Sequence, residues 1–337
     1  SILNEENIQT KYGVEYSSLN LDSYKKEITG YDYSKTETTP KEISGKVNQD
    51  TTTIIHYYKK KSSITIKYVD KYTNKEIDGI SSDVINNYYG ESYNTEKNRA
   101  EKEKNAIFND YDYSNEYVII PQNTALKGTM NTDTITISYY YKKKATVTVN
   151  YYKEGTTEKL ADSDTLNKYY GDTYDVSTNE YKNKSTIPSK YEYSSVNPSN
   201  EVTGTITKSS IIINYYYKLK DAKIVINYLE DKTNNKLAES TVIDKKYDDK
   251  YDVTNYKDNK NISTDYKYVS YTSTPENALN GTVSQDVITI NYYYALKDAT
   301  INIKYLDELT GQSILNEENI QTKYGVEYSS LNLDSYK

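Results

Sequence analysis

The sequence predicts a β-rich α+β fold class, built as a tandem array of small domains instead of one large core. Three observations carry this. The stretch G-T-V-S-Q-D-V-I-T-I-N-Y-Y-Y-A-L-K-D-A-T-I-N-I-K-Y at 281–305 has counterparts at 204–228, 128–151 and 45–68. In each, a glycine opens a turn, a strand ends in tyrosines, and a short Lys-bearing joint leads into the next strand. The glycines that open these stretches, Gly45, Gly128, Gly204 and Gly281, lie 83, 76 and 77 residues apart. Finally, Ile64, Ile66 and Tyr68 alternate with Thr65 and Lys67, and Ile288, Ile290 and Tyr292 with Thr289 and Asn291. That is the period of a half-buried strand.

Taken in order, residues 1–61 form a partial repeat that lacks a first strand. It runs through Y-G-V-E-Y (12–16), Y-D-Y (31–33) and Gly45 to a closing strand T-T-I-I-H-Y-Y. Residues 62–144 form a full unit with I-T-I-K-Y (64–68), Y-G-E-S-Y (89–93), Y-D-Y (111–113), Gly128 and a closing strand over 134–141. Residues 145–220 and 221–297 repeat that order, and residues 298–337 hold a front half that begins with I-N-I-K-Y (301–305). The segment N-R-A-E-K-E-K-N-A-I at 98–107 is the best helix in the chain, because Ala, Glu and Lys favour helix. The glycine of Y-G-x-x-Y and the glycine before each closing strand are expected at positive φ, with Asp248 tolerating the first of these positions.

Composition excludes several classes of function. The formal charge is −7, from 42 Lys+Arg against 49 Asp+Glu, and Arg99 is the sole arginine, so no basic face for nucleic acid is expected. No cysteine is present, which removes disulfides, thiolate metal sites and thiol nucleophiles. No apolar run is long enough for a membrane-spanning helix. The chain has 43 tyrosines, one phenylalanine and no tryptophan. A tyrosine ring is apolar and its hydroxyl wants a partner, which suits thin domains; an A+T-rich coding sequence is the competing cause.

These residues resemble the mucin-binding-protein (MucBP-type) repeats of Gram-positive bacterial surface proteins. The resemblance rests on I-T-I-K-Y-V-D and its turn, Y-G-E-S-Y, and the closing strand that follows G-T, in fixed order through the chain. It implies small β-grasp (ubiquitin-like) domains whose first and last strands are parallel neighbours. With joints of three to five residues, such units enter at one pole and leave at the other, so the array is expected to form an elongated rod. It also implies stalk and adhesive roles at the cell surface, with host mucin or other glycans, and neighbouring repeats or chains of the same protein, as partners. No binding residue carries over by position.

The chain offers no catalytic, cofactor or metal constellation, and an enzyme is not expected. His56, the sole histidine, is read in the outward slot held by Ser138, Asn214 and Asn291 elsewhere, a drifted surface position and not a base. The turns D-K-Y-T-N-K-E (70–76) and E-D-K-T-N-N-K (230–236) lack calcium-loop spacing and read as hairpin turns. A Lys–Asn amide cross-link through Lys67 or Lys304 and Asn214 or Asn291 is not expected, because all four lie on the polar strand face. Lys59–Lys61 and Lys142–Lys144 read as solvated linkers. The pairs Tyr31/Tyr33, Tyr111/Tyr113, Tyr191/Tyr193 and Tyr266/Tyr268 read as core, with an exposed sugar-stacking ladder as the alternative.

Two functions of different class follow: a surface adhesin stalk or fibre with weak multivalent glycan contacts, and a purely structural spacer or self-assembling filament. Residues 313–337 repeat residues 1–25 letter for letter, an offset of 312. That predicts a four-unit super-repeat, with this chain as one period plus an overlap cut from a longer extracellular protein.

Overall fold

The computed structural model describes residues 1–337 as a β-rich chain with short helical turns. It divides into two compact units: Ser1–Thr148 with Thr165–Tyr174 and Thr203–Ile211, and Val149–Asp164 with Asp175–Val202 and Ile212–Lys337.

Strand Thr53–Asp70 organises the first unit. Its N-terminal half pairs antiparallel with Tyr31–Thr39. From Lys61 on it pairs antiparallel with Asp83–Tyr88, and from Ser63 on it pairs parallel with strand Thr134–Lys153. The latter pairs antiparallel with Tyr111–Ile120 on its other side. The joint between closing and opening strand is therefore continuous strand here, shorter than the three to five residues expected. Ile64, Ile66, Ile135, Ile137, Tyr139 and Tyr141 face inward at no more than 1 % exposure. The strand alternation predicts this face.

The second unit repeats the plan. Asp221–Glu230 lies between Lys236–Lys246, antiparallel, and Val287–Leu296, parallel. Tyr266–Thr274 pairs antiparallel with the far edge of Val287–Leu296. Single residues, Lys220 and Lys297, interrupt the strands at the two joints of this unit. Ile290 is fully buried and Asn291 half-buried on the opposite face, as the alternation requires.

The tyrosine blocks have a physical reason beyond composition. Each inward ring fills the core while its hydroxyl ties down the segment crossing over the sheet. Tyr292 and Tyr294 donate to the carbonyls of Val253 and Lys257, both at 2.6 Å. Tyr215 donates to Val176 O at 2.5 Å, and Tyr141 to the Glu103 carboxylate at 2.9 Å. Phenylalanine would fill the same space and leave those buried acceptors unpaired, at a cost of roughly 1–3 kcal/mol each.

Three local expectations need correction. The helix is Thr95–Lys102, starting three residues before and ending five residues before the segment read over 98–107, because the Asn94 side chain caps it by accepting from Glu96 N–H. A separate 3-10 turn, Ala106–Asp110, follows under its own Asn105 cap. Gly13, Gly90, Gly171 and Gly325 do have positive φ, as does Asp248. Among the glycines before closing strands, however, Gly45 and Gly281 do and Gly128 and Gly204 do not. Those two serve as ledges: a Cβ on Gly128 would meet the Tyr93 hydroxyl at 3.5 Å and its ring at 3.7 Å, and on Gly204 the Tyr174 ring at 3.7 Å.

His56 is also placed differently. It pairs with Thr36, as Tyr139 pairs with Tyr117, so it occupies the inward slot of Tyr139, Tyr215 and Tyr292. The missing tyrosine shifts the register of the reading by one, and a one-residue slip exchanges the faces of a strand.

Candidate functional site

No catalytic constellation is built. The His56 Nδ1 shares a hydrogen bond with the Thr36 hydroxyl at 2.7 Å, and burial followed by nearby Lys25 pushes its pKa down. Asp70 is engaged as a turn residue: its carboxylate accepts from the N–H groups of Tyr72 and Thr73 at 2.8 and 3.1 Å. Lys67 pairs with Glu76 at 2.8 Å, while Asn214 and Asn291 hold asparagine partners and no lysine.

Two features recur from repeat to repeat, and both lie at the surface. The first is the joint. Asp32, the middle residue of Y-D-Y, takes Lys61 Nζ and the Tyr88 hydroxyl, each at 2.8 Å. In the next copy Asp112 takes Lys144 at 3.1 Å and the Tyr169 hydroxyl at 2.8 Å. At the third joint the corresponding positions carry Glu192, Asp221 and Lys246, and the pairs are Lys246–Asp221 at 2.5 Å and Lys218–Glu192 at 3.3 Å. At the fourth they carry Lys267, Asp298 and Lys323, with Asp298 between the two lysines.

Residue types thus exchange while a charge pair survives at every joint. A main-chain seam accompanies it: Tyr89, Tyr170, Tyr247 and Tyr324 donate N–H to the carbonyls of Lys60, Lys143, Lys220 and Lys297 at 3.0–3.1 Å. Hydrogen bonds from Lys61 and Tyr88 hold Asp32 below the usual carboxylate range, and those from Lys267 and Lys323 hold Asp298 at about 2. Among the lysines read as solvated linkers, Lys61 and Lys144 are therefore clamp residues. Their acidic partners lie far away in sequence, where spacing gives no signal.

The second feature is a polar row across the outward sheet face. In one repeat the Ser163 hydroxyl donates to Asn150 Oδ1 at 2.6 Å, and Asn150 Nδ2 to Asn214 Oδ1 at 2.9 Å. In the next, Ser240 donates to Asn227 at 2.7 Å, Asn227 to Asn291 at 2.8 Å, and Asn291 to Thr272 at 3.3 Å. Half-buried outward tyrosines stand two residues further along: Tyr152 and Tyr216 with ring centroids 6.2 Å apart, and Tyr293 beside Thr272. Planar amides beside an aromatic ring match the polar edge and apolar face of a pyranose.

The Y-x-Y pairs lie between the two readings offered for them. Tyr191 is buried and Tyr113 packs edge-on to Tyr139 at 5.8 Å, yet Tyr33 and Tyr268 are 44 % and 38 % exposed. A groove in the second repeat is lined by Glu96, Tyr117, Val118, Gln122 and Lys127 among others.

Five segments match the MucBP domain: 1–59, 63–142, 146–218, 223–295 and 300–335. The chain belongs to the MucBP family. It is 29 % identical over 316 residues to Internalin J of Listeria monocytogenes serotype 4b (strain F2365), covering 89 % of this chain and 30 % of that protein. The chain thus spans under a third of that relative's length. Among solved structures it resembles the type 2 repeat of the mucus binding protein MUB from Lactobacillus reuteri, at 16 % identity and a TM-score of 0.19. That likeness covers 45 % of this chain and 100 % of the other. The Bacillus anthracis TIE protein matches at 10 % identity and a TM-score of 0.28, over 74 % of this chain and 52 % of that one. No helix is long and apolar enough to cross a membrane.

Proposed function

We propose that this MucBP array is a stalk region of a bacterial cell-surface adhesin, extracellular, with β-grasp repeats stacked as a rod. The recurring joint carries the reading. At four successive joints a backbone hydrogen bond ties each repeat to the next, and a side-chain bond crosses beside it (Tyr88–Asp32, Tyr169–Asp112, Lys190–Asp248 and Lys267–Asp298), with no more than one non-strand residue between strands. Exposed ion pairs add little stability, under about 1 kcal/mol each, but they restrict the angle of a joint that strand continuity already stiffens. Stiff joints keep a distal binding surface away from the cell.

Mucin-type or other glycans fit the Ser–Asn rows and their tyrosines, each contact weak and the array multivalent. One experiment addresses both halves. The whole chain and the Asn214→Ala/Asn291→Ala variant are titrated against immobilised mucin glycopeptides, with small-angle scattering on the same samples. The expected results are a radius of gyration well above the ~20 Å of a globule of this length and weaker glycopeptide binding by the variant. A compact particle refutes the stalk. Equal binding by both proteins, or binding by neither, refutes the amide rows as the glycan surface.

A further inference from the structure

The joints on either side of residues 145–220 are built from different chemistry. Backbone hydrogen bonds fix which residues correspond. Lys71, Glu154 and Asp231 donate N–H to the carbonyls of Tyr141, Tyr217 and Tyr294 at 2.8 Å, so Tyr72, Gly155 and Lys232 hold one position in three successive opening turns. Gly90, Gly171 and Asp248 donate N–H to the carbonyls of Met130, Ile206 and Val283 at 2.9–3.0 Å, so these three correspond as well.

At the joint leading into residues 145–220, the Tyr72 ring crosses onto the following repeat. It meets the Tyr170 ring edge-on, with centroids 5.9 Å apart, and covers Gly171 so closely that a Cβ there would lie 2.9 Å from it. The turn that presents this ring is pinned. The buried Asp70 carboxylate accepts from the N–H groups of Tyr72 and Thr73 at 2.8 and 3.1 Å, and from the Tyr111 hydroxyl at 3.4 Å. Lys143 Nζ adds a cation 5.0 Å from the Tyr170 ring centroid.

At the joint leading out of residues 145–220, these groups are exchanged together. Gly155 stands in the place of Tyr72, and a Cβ on it would meet nothing within 4 Å. Asp248 stands in the place of Gly171, and its carboxylate takes Lys190 Nζ at 2.7 Å. Lys246 stands in the place of Tyr169 and pairs with Asp221 of its own repeat. The side chain that crosses this joint is therefore a charge and not a ring.

We propose that the joint between residues 145–220 and 221–297 is a salt-sensitive hinge, while Tyr72 locks the joint before it. Ring packing rests on apolar contact, which salt does not screen. The Lys190 and Asp248 side chains are 37 % and 48 % exposed, and the attraction between such partners fades as ionic strength rises. Ionic strength thus selects where the array bends. The hinge requires no glycan and is read from local distances, so its failure leaves the scattering test of the stalk untouched.

The chain has no cysteine, so paired spin labels are placed without removing any native thiol. Gln122→Cys with Thr173→Cys spans the first joint, and Ser199→Cys with Lys250→Cys spans the second at corresponding exposed positions. Dipolar distance distributions are recorded on the whole chain at about 0.01 M and about 1 M NaCl, where the screening length is about 30 Å and about 3 Å. The first pair is expected to stay narrow at both, and the second to become roughly twice as wide at high salt. Lys190→Gln is expected to give the second pair its high-salt width already at low salt. Tyr72, 48 % exposed, lies outside the core of its repeat. Tyr72→Ala is expected to widen the first pair at both salt concentrations and Tyr72→Phe to leave it narrow. A second pair that keeps its low-salt width at high salt overturns the hinge. A first pair that Tyr72→Ala leaves unchanged overturns the lock.

Discussion

Residues 1–25 and 313–337 are the same sequence in two settings, and they fold differently. In the C-terminal setting an opening strand is present, and Glu318–Lys323 pairs with it as a strand. The identical residues 6–11 lack that partner and carry no regular structure. The dependence reverses a few residues later. Tyr16, next to the Gly45 loop and the closing half, is 7 % exposed, while its duplicate Tyr328, with no closing half to cover it, is 70 % exposed. The local 3-10 turns, Tyr16–Leu19 and Tyr328–Leu331, survive in both. Turns made within a few residues are encoded locally; strands and core positions in these repeats are decided by the partner segment.

The largest effect that sharpens this comparison is at matched isoleucines. Ile226 in a complete repeat and Ile303 in the front half hold equivalent positions, at 0 % exposure and half-buried respectively. Ile226→Ala is expected to cost about 2–5 kcal/mol in the unfolding transition of its repeat, measured by urea denaturation of the whole chain. Ile303→Ala is expected to cost under about 1 kcal/mol. Equal costs break the comparison.

A smaller effect comes from pH. Burial pushes Tyr215 and Tyr292 up to about 12 from 10.0, with nearby tyrosines adding to it. Their folded-state values are raised, so this stabilisation is complete below pH 10 and is lost as pH rises toward 12. Phenolate absorbance is therefore expected to appear in two phases, exposed rings first and core rings with cooperative unfolding near pH 11–12. A single non-cooperative phase near pH 10 means the rings are not buried.

Much of the plan was legible in the sequence, because it repeats. Ile64 and Ile290 fall on the core face and Asn291 on the outer face, as alternation requires, and the parallel neighbours agree with the family resemblance. What escaped was set by contacts distant in sequence. The Asp32–Lys61–Tyr88 cluster spans 56 residues and changes residue type at each joint. Gly128 looked like a turn residue but is a ledge for Tyr93, a role that only a neighbouring ring reveals. His56 was misplaced by one register step because the tyrosine block that served as the marker is itself altered there.

Amide hydrogen exchange, resolved by residue at concentrations where the chain is monomeric, tests the dependence on partner segments most directly. Tyr324 N–H is bonded to Lys297 O at 3.0 Å, whereas Gly13 and Tyr16 donate to Val47 O and Gly45 O at 2.8 Å. The account predicts a crossed pattern within identical sequence: Tyr324 exchanging more slowly than Tyr12, and Gly13 and Tyr16 more slowly than Gly325 and Tyr328. The same rates at all duplicated positions would contradict it, because local sequence alone would then fix the structure of both segments.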